Sequence, residues 1–428
     1  MSKAVSTAKT DPVVIVGIGV EAPGGIDHPL SYWKALEGER ELIGPFPRDR
    51  GWPVDTIVST ETDIPGTVPD AGGFLSHATM FDPEFFGIKI SEARVAMDPQ
   101  QWVALRVAWR ALEHSGVNPA DQRGASAGCY FGVSYTEHQG RSGMTPAGVS
   151  GRISHCLGLD GPSMSVDTAC SSGLSAVHLA AAAVRDGECD WALAGAVCVM
   201  GQPSVFTESA MVLGLSPDGR CRPFSDDACG TVWAEGAGVV VLELESRARR
   251  LGHRIYGRLL ASRINHNGGR HRITMPDAWA QERLIRRTIA ESGIPMEYLG
   301  LVEGHGAATR AGDLAELTAL CSVFGPGEAT TVGPLLGSVK SNLGHAQAAA
   351  GILGLIKVLL CGVHGLIAPT LHVDPPTTEF DWTRTRLAFA SAPQPWKPID
   401  GFRYGAVTSL GIAGTNAHAI LAMPEQEE

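Results

Sequence analysis

The side chains able to do chemistry fall in three places. Cys170 stands in Thr168-Ala169-Cys170-Ser171-Ser172-Gly173, where an extended stretch (Ser165-Val166-Asp167) gives way to an almost wholly apolar run, Leu174 to Val184. A helix opening there points unpaired N–H groups and positive potential at the sulfur. That setting favours the thiolate and lowers a thiol pKa from its free value of roughly 8.5. The small neighbours allow a sharp elbow and close approach of a substrate. A buried structural cysteine is the competing and commoner reading.

Two histidines follow in the second half. His305 lies in Val302-Glu303-Gly304-His305-Gly306, just after a strand-like run, and His345 ends Asn342-Leu343-Gly344-His345, just before an apolar helix. The flanking glycines expose each imidazole. His178 is the contrast, since it interrupts an apolar helix and reads as packed or hydrogen-bonded in the core. Gly411-Ile412-Ala413-Gly414-Thr415-Asn416-Ala417-His418 is a Gly-rich turn of the kind that cradles phosphates or supplies oxyanion N–H groups. No GKS or GKT accompanies it, so phosphate hydrolysis is not indicated. One Cys, two exposed His and such a turn fit a protease, an amidase or an acyltransferase. A hydrolase wants one His and an orienting Asp or Asn. Two His against one Cys suit a reaction in which two negative charges develop, a tetrahedral oxyanion and an enolate.

The elements that position these groups come in two sets. Each half holds a strand, a turn with reactive side chains and a buried small-residue helix: Ser163 to Gly187 in the first, Leu335 to Gly362 in the second, with its helix over Ala346 to Cys361. Ala and Gly keep such helices thin enough to lie side by side. Strands at Trp191 to Val199, Ala237 to Glu243, Leu299 to Glu303 and Ala406 to Leu410 would cover them, which gives a layered α/β architecture with an internal duplication. Val13 to Val16 reads as a buried strand ending at Gly17. Gly17-Ile18-Gly19-Val20-Glu21-Ala22 fits the GxGxxA dinucleotide pattern, but Pro23, Gly24 and Gly25 deny it the helix that pattern needs. Pro45 to Asp70 reads as an irregular excursion. Asp98 is the N-cap and Pro99 the first residue of a helix running to about His114.

Composition narrows the partners. Hydrophobic residues are 44% and charged residues 18% of the chain, against a usual ~25% charged, so much of it is buried. Its length exceeds the roughly 250–300 residues of a single comfortable core, and two core-forming halves are expected, 11–255 and 256–425. A net charge of −11 disfavours nucleic acid. The densest basic stretch, Arg247 to Arg258, reads as a solvated turn. Nine cysteines without a CxxC pair or zinc spacing give neither a disulfide framework nor a metal site. The start, MSKAVSTAKT, has no secretory apolar core, and Ala346 to Leu360 is too short to span a bilayer. The expectation is a reduced cytoplasmic protein with no membrane and no nucleic acid.

Several motifs in order carry a closer resemblance. They are GGFLSHATMFDPEFFGI (Gly72 to Ile88), MDPQQW (Met97 to Trp102), VDTACSSG (Val166 to Gly173), CRPFSDDACGTVWAEGAGVVVLE (Cys221 to Glu243), VEGHGAAT (Val302 to Thr309), GSVKSNLGHAQAAAG (Gly337 to Gly351) and SLGIAGTNAH (Ser409 to His418). With these the chain closely resembles the β-ketoacyl synthases, in the style of modular type I polyketide synthase ketosynthases, from Asp11 to Ala422. The resemblance implies the thiolase fold, two structurally related halves in an α-β-α-β-α sandwich, and a homodimer. It implies a decarboxylative Claisen condensation in polyketide or mixed polyketide/peptide biosynthesis. Cys170 would take an acyl group from a phosphopantetheine thioester, and a malonyl-type unit on an acyl carrier protein would lose CO₂. His305 and His345 would steady the enolate. The N–H groups of Cys170 and Ile412 would form the oxyanion hole, and Lys340 would match an active-site lysine that acts electrostatically. No tightly bound cofactor is implied beyond the carrier's phosphopantetheine arm.

Two departures bear on substrate binding. The family's HGTGT is here His305-Gly306-Ala307-Ala308-Thr309, so Ala307 lacks a hydroxyl used toward pantetheine while Thr309 keeps one. Leu410 replaces the usual Phe before Gly411. No acyltransferase, reductase or carrier region follows Ala422, so a carrier in trans is expected. Acyl transfer without elongation and a non-catalytic assembly-line subunit are the alternatives.

Overall fold

The computed structural model describes residues 11–59, 67–135, 145–212, 214–269, 272–325 and 333–425. Part of the Pro45 to Asp70 excursion, residues 60–66, lies outside the described residues.

The first half runs β1 (Val13–Glu21), α1 (Pro99–His114), β2 (Ala127–Gly132), α2 (Ala147–Leu157), β3 (Ser163–Val166), α3 (Ser172–Asp186), β4 (Trp191–Cys198) and β5 (Gly236–Leu244). The second repeats it as β6 (Gly257–His266), α4 (Ala278–Ser292), β7 (Leu299–Glu303), α5 (Arg310–Phe324), β8 (Leu335–Gly337), α6 (Ala350–His364), β9 (Phe402–Leu410) and β10 (Thr415–Pro424). Strand order is β3-β2-β4-β5-β1 in one half and β8-β7-β9-β10-β6 in the other, with the short strand Ala388–Phe389 outside β8. Directions match as well: the pairs β2–β3 and β2–β4 are parallel, as are β7–β8 and β9–β7. The duplication too faint to prove in sequence is therefore explicit in topology. Antiparallel pairing of β1 with β6 over Val13–Ile15 joins the two half-sheets.

Helices α1 and α2 cover the outside of the first half-sheet, and α4 packs on the outside of the second with α5 beside it. Between the half-sheets lie α3 and α6, each touching strands of both. This is the five-layer α-β-α-β-α order expected of a thiolase fold. The central pair meets at glycines. A Cβ on Gly173 would lie 3.1 Å from the Ala348 carbonyl, and one on Gly351 would lie 2.9 Å from Leu174 Cγ. Buried in this layer, Lys357 of α6 pairs with Glu303 at the end of β7, Nζ to Oε2 2.7 Å.

Three expectations need correction. Strand β1 does not end at Gly17 but runs to Glu21. Its glycines let α1 come close: a Cβ on Gly17 would be 2.4 Å from the Ala111 carbonyl, and one on Gly19 would be 2.3 Å from that of Val107. The GxG spacing thus serves helix packing, and a tight turn closed by Ala22 and Ile26 follows it rather than a helix. Second, helix α6 starts at Ala350, not Ala346, because Gln347 takes a left-handed φ of 48° and residues 347–349 form a single tighter turn. Third, the apolar stretch extends to His364. At 18 residues it is long and apolar enough to cross a membrane, yet 89% of it is buried inside the fold. The Asp98 cap on α1 is as expected, accepting from the Gln100 N–H at 2.9 Å.

The basic stretch begins in a short helix, Glu245–Leu251, rather than the expected turn, and is partly neutralised. Arg247 pairs with Glu243, and Arg249 and Arg258 both pair with Glu245.

Candidate active site

Cys170 sits at the elbow between β3 and α3. The preceding residue, Ala169, carries a left-handed φ of 54°, a conformation that costs a non-glycine residue about 1 kcal/mol or more. Local hydrogen bonds over-determine it. The Ala169 N–H donates to Asp167 Oδ1 (2.8 Å), Ser172 Oγ donates to the Ala169 carbonyl (2.6 Å), and Ser172 Oγ accepts from the Thr168 N–H (2.9 Å). The sulfur is thereby presented at the start of a buried helix.

Its acidity differs from the sequence expectation. Burial raises the Cys170 pKa above the ordinary thiol value and outweighs the groups that oppose it. Those are the Lys340 cation and hydrogen bonds to the sulfur from the N–H groups of Ile412 and of Cys170 itself. A helix terminus lowers a thiol pKa only where desolvation does not exceed it.

The end of β9 ties the elbow to the first histidine. Ser409 Oγ donates to the Cys170 carbonyl at 2.8 Å, and two residues on, the Gly411 backbone lies against Thr168. Between them, the Leu410 N–H donates to His305 Nδ1 at 3.3 Å. His345 is held the same way, its Nδ1 accepting from the Gln347 N–H at 3.1 Å. A backbone N–H can only donate, so each Nδ1 is unprotonated and each Nε2 carries the hydrogen. The rings meet edge to face with centroids 5.1 Å apart. Burial drives both pKa values well below the ordinary imidazole value, and the Lys340 charge adds to this. Both are neutral Nε2–H donors at pH 7.

Lys340 opens a short buried helix, Lys340–Leu343. Burial lowers its pKa while the carboxylates of Glu303 and Glu316 work the other way. Ala307 and Thr309 continue the turn after His305. Ala307 is buried and Thr309 half-buried at the N-cap of α5, with no hydrogen bond linking either to Cys170. Ile412 exposes its side chain at 42% while its N–H faces the sulfur. The structure thus gathers Cys170, His305, His345, Lys340, Leu410, Gly411 and Ile412, and sets Ala307 and Thr309 alongside. His178 bonds Ser262 Oγ at 3.0 Å, a packed core histidine as expected.

Comparison with known proteins follows this geometry. Residues 10–248 match the family model for the β-ketoacyl synthase N-terminal domain, and residues 256–374 match that for its C-terminal domain. The chain belongs to the β-ketoacyl synthase family. It is 45% identical, over 96% of its length, to a phenolphthiocerol synthesis type I polyketide synthase of Mycobacterium bovis. Over 97% it is 43% identical to a polyketide synthase of Streptomyces halstedii. It spans only 20% and 6% of those relatives' lengths. Among solved structures, an oxazolomycin ketosynthase domain from Streptomyces albus superposes with a TM-score of 0.91 at 34% identity, covering 98% of this chain and 75% of that one. The module 6 ketosynthase of the Bacillus subtilis bacillaene synthase gives 0.90 at 36%, covering 98% and 73%. The chain is an acyl-transferring enzyme of the ketosynthase type, with the thiolase fold.

Several groups behind this ketosynthase site escaped the sequence reading. Glu316 accepts the N–H groups of His305 (2.7 Å) and Gly306 (2.8 Å), which fixes the turn. Glu303 accepts from the Val339 N–H (2.6 Å) as well as from Lys357. Asp313 accepts from the Phe224 N–H at 2.7 Å, and burial pushes its pKa up to about 8. Asp313, Glu316, Leu317 and Leu320 fall at i, i+3, i+4 and i+7. Two carboxylates on the apolar face of a helix were the available signal.

Proposed function

We propose that this ketosynthase performs decarboxylative Claisen condensation with Cys170 as nucleophile. The observation that carries the reading is the pair of neutral imidazoles, each locked as an Nε2–H donor by a backbone N–H, with His305 tied to the Cys170 elbow by the end of β9 and His345 edge to face against His305. In the first stage the Cys170 sulfur attacks an acyl thioester carbonyl. The N–H groups of Cys170 and Ile412 take the oxyanion, and the carrier thiol leaves with the proton. In the second stage the bond from the malonyl α-carbon to its carboxylate breaks. CO₂ departs, and the electron pair becomes an enolate whose oxygen accepts hydrogen bonds from His305 and His345 Nε2. The enolate carbon attacks the acyl-Cys170 carbonyl, the C–S bond breaks, and a β-ketoacyl thioester is released. Lys340 steadies the sulfur anion through its charge. Fixed donors aimed at developing charge supply the rate, about 10²–10³ for each.

The substrate arm is a carrier protein's phosphopantetheine, with Thr309, Ala307, Gly411 and Leu410 along its path. The carrier arrives in trans, the enzyme is a cytoplasmic homodimer, and the product enters polyketide or mixed polyketide/peptide assembly. Incubation with an acyl thioester and a separately produced malonyl-carrier tests this. Cys170→Ala is expected to abolish both the acyl mass increment and the β-ketoacyl product. A Cys170→Ala chain that still acylates elsewhere and condenses would refute the assignment.

A further inference from the structure

Gln347 stands two residues after His345 in a conformation that carries two costs. Its φ of 48° is left-handed, and the residue is buried, with 6% exposed. The backbone strain has a use, since it turns the Gln347 N–H onto His345 Nδ1. The side chain is a separate matter. Its Oε1 accepts the Tyr135 phenol, while its Nε2 has no partner among the described residues. Tyr135 is in turn tied down, its carbonyl accepting from Gln100 Nε2, and Gln100 Oε1 accepting from the Val199 N–H. Turning the carboxamide over would let Nε2 donate to the phenol oxygen but leave Oε1 unpaired instead, so one of its two polar atoms lacks a partner among the described residues in either orientation, and the orientation in which the phenol donates leaves Nε2 free.

A buried donor left unmade is expensive, and its persistence beside a reaction centre calls for a partner that arrives later. The turn carrying Gln347 packs against β4 and α3, and the next carbonyl, that of Ala348, lies against Gly173, three residues after Cys170. The unpaired donor is thus on a turn packed against the helix whose start carries the sulfur. An alkyl chain would leave it unpaired. An oxygen would satisfy it.

We propose that Gln347 is a specificity-determining residue whose Nε2 donates to an oxygen on the acyl chain carried by Cys170. The preferred substrates are acyl thioesters with a carbonyl or hydroxyl close to the thioester, over plain saturated chains. This rests on Cys170 being the acyl acceptor. A site built to hydrogen-bond a substrate group rejects the analogue lacking it more strongly than an apolar wall rejects a methylene.

The test follows acylation of the full chain by intact mass, using butyryl, 3-hydroxybutyryl and 3-oxobutyryl N-acetylcysteamine thioesters. Intrinsic electrophilicity cancels when each rate ratio to butyryl in the wild type is divided by that in Gln347→Met. The expected quotient is about tenfold or more for both oxygenated chains. A quotient near one overturns the proposal. A preference for the hydroxy chain alone also overturns it, because a carbonyl is an acceptor only. Should Gln347→Met fail to fold, Tyr135→Phe decides: releasing the carboxamide is expected to shrink the preference, and an unchanged preference overturns it. Absence of acyl-Cys170 with all three thioesters would instead defeat the condensation reading itself.

Discussion

His305 and His345 meet edge to face with ring centroids 5.1 Å apart, and neither imidazole ring is paired with a carboxylate among the described residues. A carboxylate at Nδ1 would favour the imidazolium and make a base. A backbone N–H at Nδ1 does the reverse and makes a neutral donor. The pair is suited to stabilising an anion rather than removing a proton.

Acylation and decarboxylation are therefore expected to separate on mutation. His345→Ala should leave acyl-Cys170 formation within a few-fold of wild type and slow CO₂ release from malonyl-carrier by about 10²–10³. Paired measurements of intact mass and released CO₂ check this. Normal elongation by the variant would show that His345 is not a donor to the enolate.

The two steps should also differ in pH dependence. The Cys170 pKa is raised and those of both histidines are lowered. The thiolate fraction then grows by about tenfold per pH unit between 7 and 8, and the acylation rate should follow it. Decarboxylation by preformed acyl-enzyme should stay flat there, since both imidazoles are already neutral. Lys340→Met removes the cation that holds the Cys170 pKa down, so its acylation profile should move to higher pH. A shift to lower pH would contradict the electrostatic role.

How much of this was legible in sequence differs by element. Cys170, His305 and His345 stand beside glycines or small residues, and that local composition is a mark the sequence carries, although both imidazoles are desolvated by burial rather than exposed as expected. Strand segments such as Leu299–Glu303 could be read directly because both faces are buried. Groups acting from behind leave no local mark. Glu303 reaches Val339 and Lys357 across 36 and 54 residues of chain, and Tyr135 reaches Gln347 across 212. The acidity of Cys170 was misjudged for the same reason. The helix start is a local signal, whereas the desolvation that outweighs it comes from distant chain. Nor could the start of α6 be placed, because Gln347 in a left-handed turn departs from the pattern of its own composition.

Stability is expected to fall in mild acid. His418 is buried on β10, with Nδ1 2.9 Å from Thr408 Oγ1, and burial lowers its pKa to about 3. The unfolded chain, with a value near 6.5, takes up the proton first. This contribution is full above about pH 6.5 and is lost as pH falls from there toward 3. It amounts to about 1.4 kcal/mol between pH 7.5 and 5.5. His114, lowered to about 4, acts in the same direction. Denaturant midpoints at the two pH values should show the loss, and His418→Gln should reduce it. An undiminished loss in that variant would remove His418 from the account.

The Glu303–Lys357 pair supplies a test of buried charge. Both side chains are almost fully buried. Lys357→Met leaves the Glu303 carboxylate unpaired beside α6 and should cost about 3–5 kcal/mol. Adding Glu303→Gln removes that charge while retaining an oxygen for the Val339 N–H, and should recover much of the loss. Urea unfolding of the single and double variants measures the coupling. A double variant no more stable than Lys357→Met would show that packing, not charge, governs the site.

Gly411 links the late turn to the Cys170 elbow by close approach. A Cβ there would fall 2.3 Å from the Thr168 carbonyl oxygen. The turn has little slack, since the Gly411 N–H donates to the Thr415 carbonyl at 2.7 Å and the Gly414 N–H to the Gly411 carbonyl at 2.8 Å. Gly411→Ala must push the turn off the elbow and carry the Ile412 N–H with it. Displacement of a catalytic group by about an ångström costs about 10² in rate, so acylation should slow by that order. Gly151→Ala is the control: it lies in α2 with open space at the Cβ position. It should stabilise the fold by about 0.5–1 kcal/mol and leave acylation at the wild-type rate. If Gly411→Ala acylates as fast as Gly151→Ala, the Ile412 N–H is not part of the oxyanion hole.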